Sequence, residues 1–258
     1  MRSFTRLLGL CGLLCLLSAP RSVSAESFLF SQGSRAAQAD FEVVGGNLQV
    51  TLTNTSTFDT LVPVDVLTAL YFDISGNPSL SANSALVGAG SSIIYDSATS
   101  DVGGEWAYRQ GISSGTLPDN QAYGISSTGL GIFGPGDLFG GANLAGPWSP
   151  NGLQYGIVSA GDNPASGNGG ITGSGGLIKN SVVFKLSSLP PAFSLDSISN
   201  IRFQYGTNLS EPSFQWTPGG PNPAPGVVPE PSSFVLLGIG AMGLVGYGWR
   251  RRKIRKVA

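Results

Sequence analysis

The chain has 258 residues, with 14 Lys or Arg, 15 Asp or Glu and no histidine, for a formal net charge of −1. Lacking histidine, and with its two cysteines at positions 11 and 15 near the start, it cannot build the usual nucleophile–imidazole catalysts or His/Cys zinc sites in its main body. Glycine supplies 38 residues, about twice its average share, and helix-surface Lys and Glu are scarce, so the composition points to an all-β protein rich in turns.

The first element is a leader. Arg2 and Arg6 precede the apolar run Leu7–Leu17, and Val23-Ser24-Ala25 follow. A basic start, a short apolar core and small residues at the end predict a signal peptide over residues 1–25, cut after Ala25. Leu10 and Leu14, just before Cys11 and Cys15, are too bulky for a lipidation signal. Both cysteines then leave with the leader, and the exported protein depends on its core and sheet hydrogen bonds rather than on disulfides. Removing the two ends also changes the charge. Residues 26–228 keep five basic residues, Arg35, Arg109, Lys179, Lys185 and Arg202, against fourteen acids, a balance of −9. So acidic a body argues against nucleic acid as a partner, because phosphate backbones are met by Lys and Arg.

Within the body, Phe28–Phe30 opens a first strand and Ser31–Ser34 a turn. Ala36–Thr53 reads as a β-hairpin around Gly45-Gly46-Asn47. In its second arm Leu48, Val50 and Leu52 alternate with Gln49, Thr51 and Thr53, which predicts one buried and one wet face. Asn54–Thr60 is a polar loop. Leu61–Asp73 is the most apolar stretch, fitting a helix or a buried strand, with Thr68–Ile74 favouring the strand through its β-branched and aromatic residues. Leu80–Leu86, Ser91–Tyr95 and Glu105–Gln110 are further strand candidates, the last with Trp106 and Tyr108 on one face. Gly111–Gly176 is Gly- and Pro-rich but carries too many large apolar residues for disorder. It reads as loops folded over an open end of the sheets, with a strand near Leu153–Ser159 and a flexible loop from Gly161 to Gly176. Leu177–Leu186 and Ile198–Gly206 return to strand patterns. No fixed-period repeat occurs, so solenoids and propellers are not expected.

Residues 217–228 form a Pro-rich linker, an extended spacer of about 3 Å per residue. Pro229-Glu230-Pro231 follow, then an uncharged apolar run from Phe234 to Trp249, then Arg250-Arg251-Arg252-Lys253. The run is slightly short for a membrane span of roughly 30 Å, a deficit that snorkelling Arg and Lys reduce, and the basic end fixes the cytoplasmic side. Gly238-Ile-Gly240-Ala-Met-Gly243 matches a dinucleotide-loop pattern but has no βαβ unit around it.

Candidate chemistry is sparse. Asp65, Asp73, Asp96, Asp101 and Glu105 are the densest acids, yet no spacing among them demonstrates the carboxylate pair of a glycoside hydrolase. No EF-hand loop occurs, and a structural calcium site made from irregular loop oxygens stays open. Trp106, Tyr108, Trp148, Tyr155 and Trp216 are either sugar-stacking platforms or core. Asn54-Thr-Ser56 and Asn208-Leu-Ser210 fit the glycosylation pattern by chance composition.

The order Pro229-Glu230-Pro231, apolar span Phe234–Trp249, basic stop Arg250–Arg252 resembles the PEP-CTERM sorting signal of bacterial exosortase systems. That resemblance implies recognition by a membrane-embedded cysteine transpeptidase of the exosortase type, removal of the tail, and delivery to the cell surface or extracellular matrix. The body is also similar to a group of exosortase-dependent surface proteins with a β-rich domain. This second resemblance rests on Thr51–Ser56, Val62–Asp73 and Gly104–Tyr108, and it transfers no catalytic residue. The expectation is a signal peptide (1–25), one jelly-roll-like β-sandwich (26–216), a linker (217–228) and a sorting signal with a transmembrane helix (229–258). Its role is structural or adhesive in an exopolysaccharide or biofilm layer. No enzyme activity and no bound cofactor beyond the open calcium question are expected. A carbohydrate-binding module is the first alternative and a carboxylate glycosidase the second.

Overall fold

Alternation of apolar and polar residues sets the strands of this protein, and glycine or asparagine at left-handed positions sets where they turn. The computed structural model describes residues 25–97, 100–142, 150 and 152–218. In chain order the strands are β1 (Ala25–Gln32), β2 (Arg35–Val44), β3 (Asn47–Asn54), β4 (Leu67–Ile74), β5 (Ser81–Val87), β6 (Ser92–Ile94), β7 (Ala107–Gln110) and β8 (Tyr123–Ser126). They continue with β9 (Ile157–Val158), the single helical turn α1 (Gly169–Thr172), β10 (Leu177–Lys179), β11 (Ser181–Ser187), β12 (Ile198–Tyr205) and β13 (Ser213–Gln215). Among the described residues the regular structure is thus mostly strand, with almost no helix.

Two sheets form. The first has the order β1-β2-β3-β11-β5, and the second β13-β12-β4-β9-β10-β6, with β8 pairing both β4 and β7 off that path. The predicted hairpin is present. β2 and β3 pair antiparallel from Ala37 opposite Asn54 to Val44 opposite Asn47. Gly45 and Gly46 turn it with φ of 57° and 80°, the two positive angles that a tight hairpin needs and that glycine adopts at least cost.

One face of each sheet feeds a common apolar core. Leu48, Val50 and Leu52 of β3 and Val182, Phe184 and Leu186 of β11 are fully buried, while their alternating neighbours are partly exposed. Rings from the two sheets meet there. Phe41 of β2 lies 5.4 Å from Phe72 of β4, and Phe30 of β1 stacks 6.1 Å from Phe203 of β12. Trp106, just before β7, sits 4.9 Å from Phe184.

β4 resolves the ambiguity of the most apolar stretch: it is a strand buried on both faces. Leu70 and Phe72 point into the common core. Ala69 and Tyr71 point the other way, into a second cluster with Ile112, Leu117, Ile132 and Phe133. The Gly-rich loops therefore cover the outer face of the second sheet rather than an open end. They also contain β8, which pairs Ala69–Phe72 of β4. Gly124 explains why this strand is hard to read. A Cβ at that position would lie 2.8 Å from the Tyr71 ring and 2.9 Å from that of Phe133, so the strand backbone needs glycine for close approach.

Two further expectations are corrected. Leu177–Leu186 is not one strand: Asn180, at φ 86°, breaks it, sending β10 into the second sheet and β11 into the first. Its backbone serves both sides, accepting from Asn54 N and donating to the Val158 carbonyl. Asparagine tolerates that left-handed angle better than most residues. Residues 161–176 are likewise not a free loop. Ile171 of α1 is fully buried in a third cluster with Val66, Leu153, Val158 and Leu177, a burial that contributes about 1.5–3 kcal/mol toward fastening the segment. Asn168 caps the turn by accepting from Gly170 N.

The chain enters and leaves the body at one edge. Phe28 meets Trp216 edge-on at 5.0 Å and Phe30 stacks on Phe214 at 4.2 Å. Low numbers of β1 thus face high numbers of β13, which brings the start of β1 beside the end of β13. Among the described residues no helix is long and apolar enough to cross a membrane. The apolar run Phe234–Trp249, expected to span the membrane, lies outside the described residues.

Candidate functional site

Asp65, Asp73 and Asp101 each meet separate partners, whereas Asp96 and Glu105 both act on Tyr155. Asp65 pairs with Arg35 at 2.7 Å, and Arg35 Nε also donates to the Val64 carbonyl. Asp73 accepts from Ala122 N and from Asn200 Nδ2, both at 2.7 Å. Asp96 accepts from the Tyr155 hydroxyl at 2.6 Å, and burial together with that carboxylate pushes the Tyr155 phenol pKa upward. Asp101 accepts from Gly103 N at 3.0 Å, and Glu105 is buried in the 3-10 turn that follows. A shallow hollow lies beside β7, lined by Tyr108, Arg109, Gln110 and Asp137. Its one carboxylate, Asp137, is 3.5 Å from Arg109. That arrangement lacks the facing acids a glycosidase uses.

The aromatic candidates are core. Trp106 and Tyr155 are fully buried and Tyr108 nearly so, while Trp216 is partly buried against Phe28. None of these four forms an exposed row on which sugar rings could stack. Trp148 lies outside the described residues.

Where loop 57–60 meets loop 159–166, the fold brings together two acids that neither motif nor spacing singles out. Asp59 Oδ1 accepts from Asn163 N at 2.8 Å, and its Oδ2 accepts from the Ser166 hydroxyl. Asp162 is 3% exposed, and its Oδ1 accepts from Thr60 N at 2.9 Å. Its Oδ2 is buried with no hydrogen-bond donor. Lys179 Nζ reaches the same residue but donates to its main-chain carbonyl, at 2.6 Å. Burial, and the neighbouring Asp59 carboxylate, raise the Asp162 pKa, whereas the Ser166 hydroxyl and Asn163 N–H hold Asp59 below the ordinary value. Sequence offers no direct signal for this pair, since Asp59 and Asp162 stand over a hundred residues apart in two segments that look like plain loops. Among the described residues no group of three or more His, Cys, Asp or Glu side chains is arranged to hold a metal ion.

The sites predicted at the chain ends have a different status. Ala25 is the first residue of β1, opposite Glu42. A cut after it leaves Glu26–Gln32 to complete the strand. Pro229, Glu230, Pro231, Phe234, Trp249, Arg250, Arg251 and Arg252 lie outside the described residues, within or beside the segment that the comparison with known families matches. Residues 227–253 match the model of the PEP-CTERM protein-sorting motif. The chain carries a PEP-CTERM sorting motif. No curated protein and no solved structure matches the chain. The PEP-CTERM motif implies export, sorting that depends on an exosortase, and processing by that membrane enzyme. It spans the three parts read from the sequence: Pro229-Glu230-Pro231, the apolar run and the start of the basic cluster.

Proposed function

We propose that this chain is a structural or adhesive surface protein: a jelly-roll-like β-sandwich that is exported, sorted through its tail by an exosortase-type membrane transpeptidase, and left at the cell surface in an exopolysaccharide or biofilm layer. The carrying observation is the PEP-CTERM motif at residues 227–253. Three features of the body support the reading. Acids such as Asp65 and Asp101 serve as an ion-pair partner and a backbone acceptor, most of its large aromatics fill the core, and its entry and exit share one edge. A body held at one edge can hang from the membrane by leader and tail together while it folds outside. The residues between Pro218 and Pro229 reach at most roughly 40 Å when fully extended, enough to hold that edge clear of the lipid. Transpeptidation needs the scissile region accessible, and a proline-rich spacer resists folding back onto the body.

The test replaces Pro229, Glu230 and Pro231 by alanine and follows the chain by cell fractionation. The expected result is an unprocessed form that accumulates in the membrane fraction. Processing and location identical to the unaltered chain would overturn the reading.

A further inference from the structure

We propose that the fold holds a site for its own mature amino terminus: the α-ammonium that leader removal frees on Glu26 pairs with the carboxylates of Asp196 and Glu42 and fastens the head of β1. The inference rests on the expected cut after Ala25 and goes beyond the sorting reading. Ala25 and Glu26 stand in the ladder opposite Glu42 and Phe41, so the register fixes where the new terminus is. Alternation puts the Glu26 side chain on the core face with Phe28 and Phe30, and puts Ala25 and Ser27 on the outer face. On the core side β1 packs against the 3-10 turn Leu195–Ser197, which carries Asp196. Glu26 Oε2 is buried with no hydrogen-bond donor. Burial first, and then the Asp196 charge, push the Glu26 pKa up. On the outer face Asp40 accepts from the Ser27 hydroxyl, and Glu42 follows two residues along β2.

The charges around this point share one sign. β1 contributes Glu26, β2 contributes Asp40 and Glu42, and the 3-10 turn contributes Asp196, while β3 sets the neutral Thr51 and Gln49 opposite Asp40 and Glu42. The two cations of the first sheet stand apart. Arg35 lies at the other end of β1, opposite Gln32, and is paired with Asp65. Lys185 of β11 lies opposite Gln49 on the far side of β3, two strand spacings or about 10 Å from Glu42, where salt screens most of its pull. Among the described residues none of the four carboxylates has an ion pair. Hydrolysis of the Ala25–Glu26 peptide bond consumes one water, sends a carboxylate away on the leader, and leaves an α-ammonium on Glu26. A neutral amide thus becomes a positive charge at the one place on this edge where only negative charge is present.

The experiment uses the exported chain in mild detergent, its first residue read by amino-terminal sequencing. One portion is acetylated at the α-amine, which removes the charge; a second is reductively dimethylated, which keeps it; a third is left free. At pH 7 the acetylated portion melts about 1–4 °C below the free one, and the dimethylated portion melts with the free one. Neighbouring carboxylates raise the α-amine above its ordinary pKa of about 7.7–8.0, so its contribution is complete below that range and is lost as pH rises through the raised value. The gap between free and acetylated portions therefore closes above about pH 10. D196N, which preserves side-chain size, narrows the gap at pH 7. The proposal is overturned if the chain begins at Glu26 and acetylation leaves the midpoint unchanged, if dimethylation lowers it as far as acetylation does, or if D196N keeps the full gap. A first residue other than Glu26 overturns the expected cut and this site with it, and leaves the reading of the tail standing.

Discussion

Replacing Trp106 with alanine separates a core tryptophan from a ligand-stacking one. Trp106 is fully buried and packs 4.9 Å from Phe184, which itself lies 5.2 Å from Phe139. Truncation removes the indole from the middle of this cluster and leaves a cavity that the surrounding strands can only partly close. Large aromatic-to-alanine changes of this kind cost about 3–5 kcal/mol. At about 2–4 °C per kcal/mol for a domain of 150–250 residues, the thermal midpoint falls by roughly 6–20 °C. The assay is thermal unfolding of the full chain in mild detergent, followed by far-ultraviolet circular dichroism so that the lost tryptophan does not remove the signal. A tryptophan displayed for a ligand would cost within about 0.5 kcal/mol. A midpoint shift below about 2 °C would therefore refute the assignment of Trp106 to the core and reopen the carbohydrate-binding alternative.

Gly124→Ala tests the covering of the second sheet. Its Cβ would press on the Tyr71 and Phe133 rings, which are held by strand β4 and the loop above it. The expected cost is about 1–3 kcal/mol, measured by denaturant titration; an unchanged midpoint would mean that the loop rides loosely over β4. Asp162→Asn gives a pH signature. The Asp162 pKa is raised from 3.8, first by burial and then by Asp59, so the stability that accompanies its protonated form is complete below pH 3.8 and is lost as pH rises through the raised value. Asparagine cannot ionise, so the variant and the unaltered chain coincide near pH 3.5 and the variant becomes the more stable as pH rises toward neutrality. Parallel stability curves across that range would contradict the buried charge.

Much of the sheet architecture was legible in local pattern. β2, β3 and β11 announce themselves because each buries one face, and alternation then marks every second residue. β4 was harder, since a strand covered on both sides loses alternation, and the cover comes from loops whose composition looks unstructured. β8 and β13 escaped for opposite reasons. Gly124 interrupts the strand signal of the first, and the second is three residues long beside a proline. The break at Asn180 is a tertiary event: a strand pattern continues through it, and only the need to serve two sheets makes it turn. The Asp59–Asp162 pair is of the same kind, made by two loops that meet only in the folded chain. The sorting signal was the reverse case, because Pro229-Glu230-Pro231, the apolar run and the basic cluster follow one another directly along the chain.

The central claim is that both ends of the chain are removable and that the β body alone is delivered. The intact mass of the protein recovered from the cell surface tests it most directly. The account predicts a species that begins at Glu26 and lacks the segment from Phe234 through Arg252. A surface species whose mass requires the chain to continue to Ala258 would contradict it.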